Sequence, residues 1–374
     1  MKNYRKIKIG DVLDIKRGMS LAGEYYATEG KYIRLTLGNF NYPECGWKDN
    51  ITKENLYYSG PVRNEFLLKK GDIITPLTEQ VRGLLGNTAR IPKNNIYIQS
   101  GDIGLVIPDE TKINRNFAYY LISSRVVKRQ LDAGSQQTKI RHTCPEAIKD
   151  CVAFLPELSQ QQKIATILDF IENKIQNNIK INNNLQQVAT TLYDFLFAKK
   201  QPNGKLSDIL LENEKSTIQV GSSDNICGNY PFFTSGETIN EWQDYFVDGI
   251  NCYLSTGGNA SIKVYAGKAA YSTDTWCIYG KENYSSYLYF YLKSIIKSIN
   301  SSYFAGSGLK HLQKDALLNI DLYIPTKDEI ETFNKIANPI LIQASQLFTE
   351  SKKLIKQRDF LLPLLMNGQA TIDE

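Results

Sequence analysis

Three sets of residues have the types and spacing to do chemistry. Asp169, Glu172 and Lys174 match the two-carboxylate-plus-lysine pattern of a metal-dependent nuclease. They fall inside a strict heptad repeat, on its polar side, where clustered charges form a solvated helix face. His142 and His311 each follow a Gly-Ser pair. Aligned by that pair they do not coincide, because His142 falls opposite Lys314 and His311 opposite Lys139. Both copies thus carry basic groups in swapped order, which suits contact with an anion better than acid–base catalysis. The six cysteines form no C-x-x-C pair, and with two histidines they argue for reduced core thiols rather than zinc. No nucleotide-binding glycine pattern follows a strand, and the Asn/Asp-Pro-Pro-aromatic signature of methyl transfer is absent. The expectation is a chain with no catalytic constellation, no cofactor and no metal.

Residues that do no catalysis still need positioning, and here the positioning device is a duplication. Lys163-Ile164-Ala165 recurs as Lys335-Ile336-Ala337, an offset of 335 − 163 = 172, and Gly134-Ser135 recurs as Gly306-Ser307 at the same offset. Asp194-Phe195-Leu196 recurs as Asp359-Phe360-Leu361 at 165, and Asn203-Gly204 as Asn367-Gly368 at 164. The loss of 172 − 165 = 7 residues is one heptad, so the second helix is expected to be shorter at unchanged phase. A globular part plus a helix, stated twice, describes a pseudo-twofold protein that holds two similar things at a fixed distance.

Composition bounds the rest. At 374 residues, with 42% hydrophobic and 22% charged residues, the chain has the make-up of a soluble protein with two cores. No apolar run reaches the roughly 18 residues of a membrane span, and no signal peptide opens the chain, so a cytoplasmic protein is expected. Residues 1–156 carry 24 basic against 16 acidic residues, +8, whereas residues 203–325 carry 9 against 12, −3. Ten of the eleven arginines lie in the first 156 residues, and the other is Arg358. A basic first half fits a polyanion partner.

Short β-type runs (Tyr32–Leu37, Asp72–Thr75, Ile96–Ile98, Ile103–Ile107) precede a helix expected over Arg115–Leu131. The second segment repeats the style with strands near Cys252–Ser255, Ser261–Tyr265 and Cys277–Tyr279 and a helix over Ser285–Ile299. A long helix is predicted from Ser159 to about Ala198. Its a positions are Ile164, Ile171, Asn178, Leu185 and Leu192, and its d positions Leu168, Ile175, Asn182, Ala189 and Leu196. The two Asn layers cost stability but fix register and partner choice. The helix after Pro325 offers Ile340, Leu347, Leu354 and Leu361 on one stripe, and Ile336, Gln343, Glu350 and Gln357 on the other. Antiparallel pairing of the two helices buries both stripes. The expected divisions are 1–156, 157–202, 203–325 and 326–374.

Together these landmarks resemble the specificity subunit of a Type I DNA restriction–modification enzyme. Pro156-Glu157-Leu158-Ser159-Gln160-Gln161-Gln162-Lys163-Ile164-Ala165 is similar to the opening of that family's conserved helix. Leu192-Tyr193-Asp194-Phe195 before Gly204-Lys205-Leu206-Ser207-Asp208 is similar to its exit, and Gln357–Gly368 to its ending. The resemblance implies an α+β protein: two pseudo-symmetric target-recognition domains with twisted β-rich cores, separated by two long antiparallel coiled-coil helices. It implies a non-catalytic subunit that reads a bipartite, asymmetric double-stranded DNA target and docks two methyltransferase subunits, to which restriction subunits add. A coiled-coil adaptor with protein-binding lobes is the alternative.

Base-reading residues do not carry over by motif, so they are assigned by chemistry: side chains with paired donors and acceptors on protruding loops, and cations for phosphates. In the first domain these are Asn39, Asn41 and Lys48, then Thr78, Glu79, Gln80 and Arg82, then Gln136, Lys139 and Arg141 on the Gly-Ser motif. In the second they are Thr256, Asn259, Ser261 and Lys263, then Ser272 and Asp274, then Lys310, His311 and Lys314. With no arginine in residues 203–325, this domain is expected to rely on Asn, Ser, Thr and Lys.

Overall fold

The computed structural model describes every residue except 1–3, 43–44, 51–52, 80, 135–140, 225, 307, 309, 371 and 373–374. The chain divides into two compact units. One comprises residues 1–174 and 353–374, the other 175–352. Both are mixed helix and sheet, and both build the same framework.

In the first unit a four-stranded antiparallel sheet runs in the order Leu13–Arg17, Ile103–Pro108, Ile73–Pro76, Ala89–Arg90. In the second, Leu210–Glu212, Thr275–Gly280, Ile250–Ser255 and Ile262–Ala266 take the same four places. A two-stranded ribbon closes each framework. Arg5–Lys8 pairs with Val152–Leu155 in one, and Gly204–Lys205 with Asp321–Leu322 in the other. The turn after each opening strand is tied alike: Lys8 N donates to Asp11 Oδ2 at 2.9 Å and Lys205 N to Asp208 Oδ2 at 2.7 Å. The expected helix over 115–131 is two helices, Arg115–Ile122 and Arg125–Gly134. The break falls at Ser123, whose hydroxyl donates back to the Tyr119 and Tyr120 carbonyls at 3.1 and 3.2 Å. Its counterpart breaks at Ile295, into Ser285–Ser294 and Ile296–Ser302.

The long helices are Leu158–Phe197 and Lys327–Met366, 40 residues each. The expected shortening of the second does not occur. It begins earlier before its Lys-Ile-Ala and ends later after its Asp-Phe-Leu, which restores the lost heptad. Within each unit the two helices run antiparallel. In the first unit Ile164 and Leu168 share a core with Leu365 and Leu361. In the second, Tyr193 meets Phe333 while Asn178 meets Glu350.

The first helix keeps its predicted seam: Ile164, Leu168, Ile171, Ile175, Asn178 and Ala189 are all buried. The Asn178 amide donates to Glu350 Oε2 at 2.8 Å and Ser351 Oγ at 3.3 Å. Asn182 is only half-buried, and its Oδ1 accepts from Gln186 at 3.4 Å. The second helix corrects the predicted phase. Ile336 is 46% exposed, and Gln343 and Gln357 face solvent. The inward row lies one residue later, at Ala337, Ala344, Ser351, Arg358 and Leu365, beside the expected Ile340 and Leu347. Small residues let two helices approach closely without forming an apolar stripe.

Candidate nucleic-acid interface

In the first unit the chain leaves the Ile73–Pro76 strand, forms a two-residue strand at Thr78–Glu79, and turns through Arg82 and Gly83. Gly83 and Gly86 have positive φ, 97° and 81°, which glycine adopts freely. Thr78–Glu79 pairs antiparallel with Arg141–His142. Glu79 is buried; its Oε2 accepts from Gly83 N at 3.1 Å and Leu85 N at 2.8 Å, and its other oxygen meets the Arg141 guanidinium. Asp132 binds both Arg141, at 2.6 Å, and Arg82, at 2.8 Å. Hydrogen bonds from Arg82 and then Arg141 hold the Asp132 carboxyl down to about 2. Arg82 stays largely exposed, and its carbonyl accepts from the exposed Tyr42 hydroxyl at 2.7 Å. Asn39 is buried and caps its own turn, with Oδ1 accepting from Thr36 N at 3.0 Å. Asn41 is half-buried and Lys48 exposed. Gln80, Gln136 and Lys139 lie outside the described residues.

The second unit brings its three loops together. Thr256 donates through N and Oγ1 to the Asp274 carbonyl, at 3.0 and 2.8 Å. Gly258 N donates to the Lys310 carbonyl at 3.0 Å, and Gly257 bridges His311. Ser272 is fully buried and its hydroxyl donates to Asp274 Oδ1. Asn259 projects outward while its carbonyl accepts from Ser255 Oγ at 2.8 Å. Ser261 N donates back to Ser255 Oγ at 2.9 Å. Lys263 points inward. Its ammonium donates to the carbonyls of Thr234, at 2.7 Å, and Gly236, and burial lowers its pKa. Lys314 lies over the Trp276 ring at 4.5 Å and 3.4 Å from Glu212, on the wall of a cleft of about 580 Å³ shared with Thr256 and Thr273. Lys310, His311 and Asn259 are the exposed members.

The loop pairing corrects the alignment of the histidines. His142 lies opposite Thr78 and His311 opposite Gly257. One residue on, Thr143 N donates to Leu77 O at 2.8 Å and Leu312 N to Thr256 O at 3.0 Å. The two histidines are therefore equivalent, at an offset of 311 − 142 = 169. The closing ribbons agree, since Lys8 pairs with Val152 and Lys205 with Asp321, and 321 − 152 = 169. The sequence between Gly134 and His142 is three residues longer than that between Gly306 and His311, which a Gly-Ser alignment hides. That alignment sets His142 against Lys314 instead of His311.

Asp169 and Glu172 are not on a solvated face. Asp169 Oδ1 accepts from Arg90 at 2.7 Å and from the Tyr120 hydroxyl at 2.8 Å. Glu172, 9% exposed, accepts from Arg358, 7% exposed, at 3.1 Å. These are structural ion pairs that join the long helices to the first unit's core. Among the described residues no group of three His, Cys, Asp or Glu side chains could hold a metal. No helix among them is long and apolar enough to cross a membrane.

The family model of the Type I restriction modification DNA specificity domain matches the chain twice, over residues 1–187 and 201–357. The chain belongs to this family. It is 25% identical over 166 residues to the specificity subunit of the Type I restriction enzyme EcoDI of Escherichia coli, covering 43% of this chain and 37% of that one. It is 23% identical over 421 residues to the specificity subunit of the MjaIX enzyme of Methanocaldococcus jannaschii, covering 100% of this chain and 94% of that one. The chain thus spans little over a third of the first relative and nearly all of the second. Its fold is similar to the crystal structure of the S subunit of a Type I restriction–modification system from M. genitalium, with a TM-score of 0.66, 17% identity, and coverage of 100% and 97%.

Proposed function

We propose that the chain is the non-catalytic sequence-reading subunit of a Type I restriction–modification complex, and that it reads a bipartite, asymmetric double-stranded DNA target with one domain per half. The observation that carries this is one framework built twice with different loops. Strand order, closing ribbon and histidine position repeat, whereas the side chains on the loops do not. Repeated frameworks place two readers alike, and unlike loops make them read unlike sequences. Arg82, Lys48, Asn259 and Lys310 are the solvent-facing candidates for contact, with half-buried Asn41 beside them. Thr78, Glu79, Asn39, Ser272 and Lys263 act through the loops they hold in place.

Two methyltransferase subunits are the proposed protein partners, with restriction subunits joining the complex. Phe195 and Phe360 hold the same place in the repeated Asp-Phe-Leu and are 85% and 68% exposed. A bare phenylalanine kept in both copies suits docking of two copies of one partner. The test is to coexpress the chain with its methyltransferase and map methylated adenines by single-molecule sequencing. A split, asymmetric motif is expected. Methylation without sequence preference, or no copurification, overturns the reading in favour of a protein-binding adaptor.

A further inference from the structure

We propose that His142 and His311 are a matched pair of phosphate contacts, one in each recognition domain. This rests on the DNA-reading function proposed above. They are the only histidines in 374 residues, and both are exposed at the same place in the duplicated framework. Each lies on a short strand paired to the loop that follows the third framework strand, at Thr78 in one domain and Gly257 in the other. Each is followed three residues later by a short helix, Pro145–Asp150 or Lys314–Leu318.

Their surroundings have diverged. On His142's side stand Arg141, Glu79 across the ribbon, the Asp132–Arg82 pair, exposed Cys144, and Arg17, whose guanidinium donates to Thr143 O at 3.4 Å. On His311's side stand Lys310, Lys314 on the following helix, and Asp274 behind Thr256. A shared side chain fits what the half-sites have in common, which is the sugar–phosphate backbone. Imidazole donates a hydrogen bond to phosphate when neutral and adds a charge when protonated. Histidine is the side chain whose ordinary range places that change between about pH 8 and about pH 5.5.

The experiment measures the salt dependence of binding of the full chain to a mixed-sequence duplex at those two pH values. Each phosphate neutralised steepens the log–log slope by about 0.9. The unaltered chain should therefore steepen by about 1.8 on acidification, each single His→Gln variant by about 0.9, and the His142→Gln/His311→Gln double variant by nothing. The His142→Arg/His311→Arg variant should be steep at both pH values, which tests the idea even where the Gln variant folds poorly. A slope independent of pH in the unaltered chain, or a double Gln variant that still steepens, overturns the proposal. Absence of salt-sensitive duplex binding at either pH overturns instead the DNA-reading function on which it rests.

Discussion

The two units solve the same packing problem with opposite chemistry. Where the long helices meet the first unit, the apolar core is joined by buried ionic contacts: Glu172 with Arg358, and Asp169 with Arg90 and Tyr120. In the second unit the repeat places Ala344, Leu341 and Tyr193 at the positions of Glu172, Asp169 and Arg358, and Phe290 takes the place of Tyr120 counted from the starts of the matching helices at Ser285 and Arg115. There Tyr193 lies among Phe197, Tyr287, Phe290 and Phe333, with ring centroids 5.7 to 6.4 Å away. All eleven arginines belong to the first unit and none to residues 175–352. Much of that excess serves the fold. Arg34, Arg90, Arg115, Arg141 and Arg358 each spend their guanidinium on the unit's own carbonyls or carboxylates. The basic charge of residues 1–156 is thus a weaker guide to DNA contact than its count suggests.

The sharpest way to break this contrast is Arg358→Met. It removes the guanidinium that Glu172 meets in the interior, and breaking one side of such a buried pair costs about 3–5 kcal/mol. Thermal melting and urea titration should both show the loss. Transplanting the second unit's solution, Glu172→Ala with Arg358→Tyr, should recover most of it, because replacing both partners of a buried pair is often close to neutral. A double variant as unstable as Arg358→Met would mean that the ionic contact is not interchangeable with the aromatic one.

Asp169→Leu comes next. It imports Leu341's side chain and strands the Arg90 guanidinium and the Tyr120 hydroxyl, for about 1–3 kcal/mol. Adding Tyr120→Phe, which imports Phe290's side chain, should relieve part of that cost, and a double-mutant cycle reads the coupling. Additive losses would show that the two positions do not act as one unit.

The same contrast shows what the sequence could disclose. The duplication, both long helices and the framework strands are written in heptads and alternation, so they were legible. The inner row of the second helix was not, because Ala337, Ala344 and Ser351 signal contact by smallness, and Arg358 reads as a surface charge. Within the site, the loops were legible but the roles of single side chains were not. Asn39, Glu79 and Ser272 carry hydrogen-bonding groups of the kinds that base readers use. The same groups cap turns, and only the fold decides which use they serve.

Asn178 tests the seam itself, with a smaller effect. Asn178→Leu removes the bonds to Glu350 and Ser351 but adds apolar burial, and half-buried Glu350 regains water. Stability should change by less than about 1 kcal/mol. A larger loss would make the amide essential to the pairing in the second unit.

The smallest expected difference lies in the recognition loops under acid. In the first unit Asp132 joins Arg82 to Arg141, and those guanidiniums hold its carboxyl down to about 2. A folded pKa below the unfolded value of about 3.9 contributes stability above that value, and loses it as pH falls toward 2. The corresponding loop of the second unit is held by bonds that do not titrate there: Thr256 to the Asp274 carbonyl, and Ser255 to the Asn259 carbonyl. Asp132 is solvent-exposed, so the effect is local and screened by salt. Amide protection, taken relative to the intrinsic exchange rate at each pH, should therefore fall around Arg82 to Leu85 between about pH 4 and about pH 2, while the segment from Thr256 to Ser261 keeps its protection. Asp132→Asn should lower protection in the first loop at neutral pH and reduce its acid dependence, while the Glu79 carboxylate still holds Gly83 N and Leu85 N. Equal acid sensitivity in the two loops would show that the ionic and hydroxyl-held designs differ in appearance only.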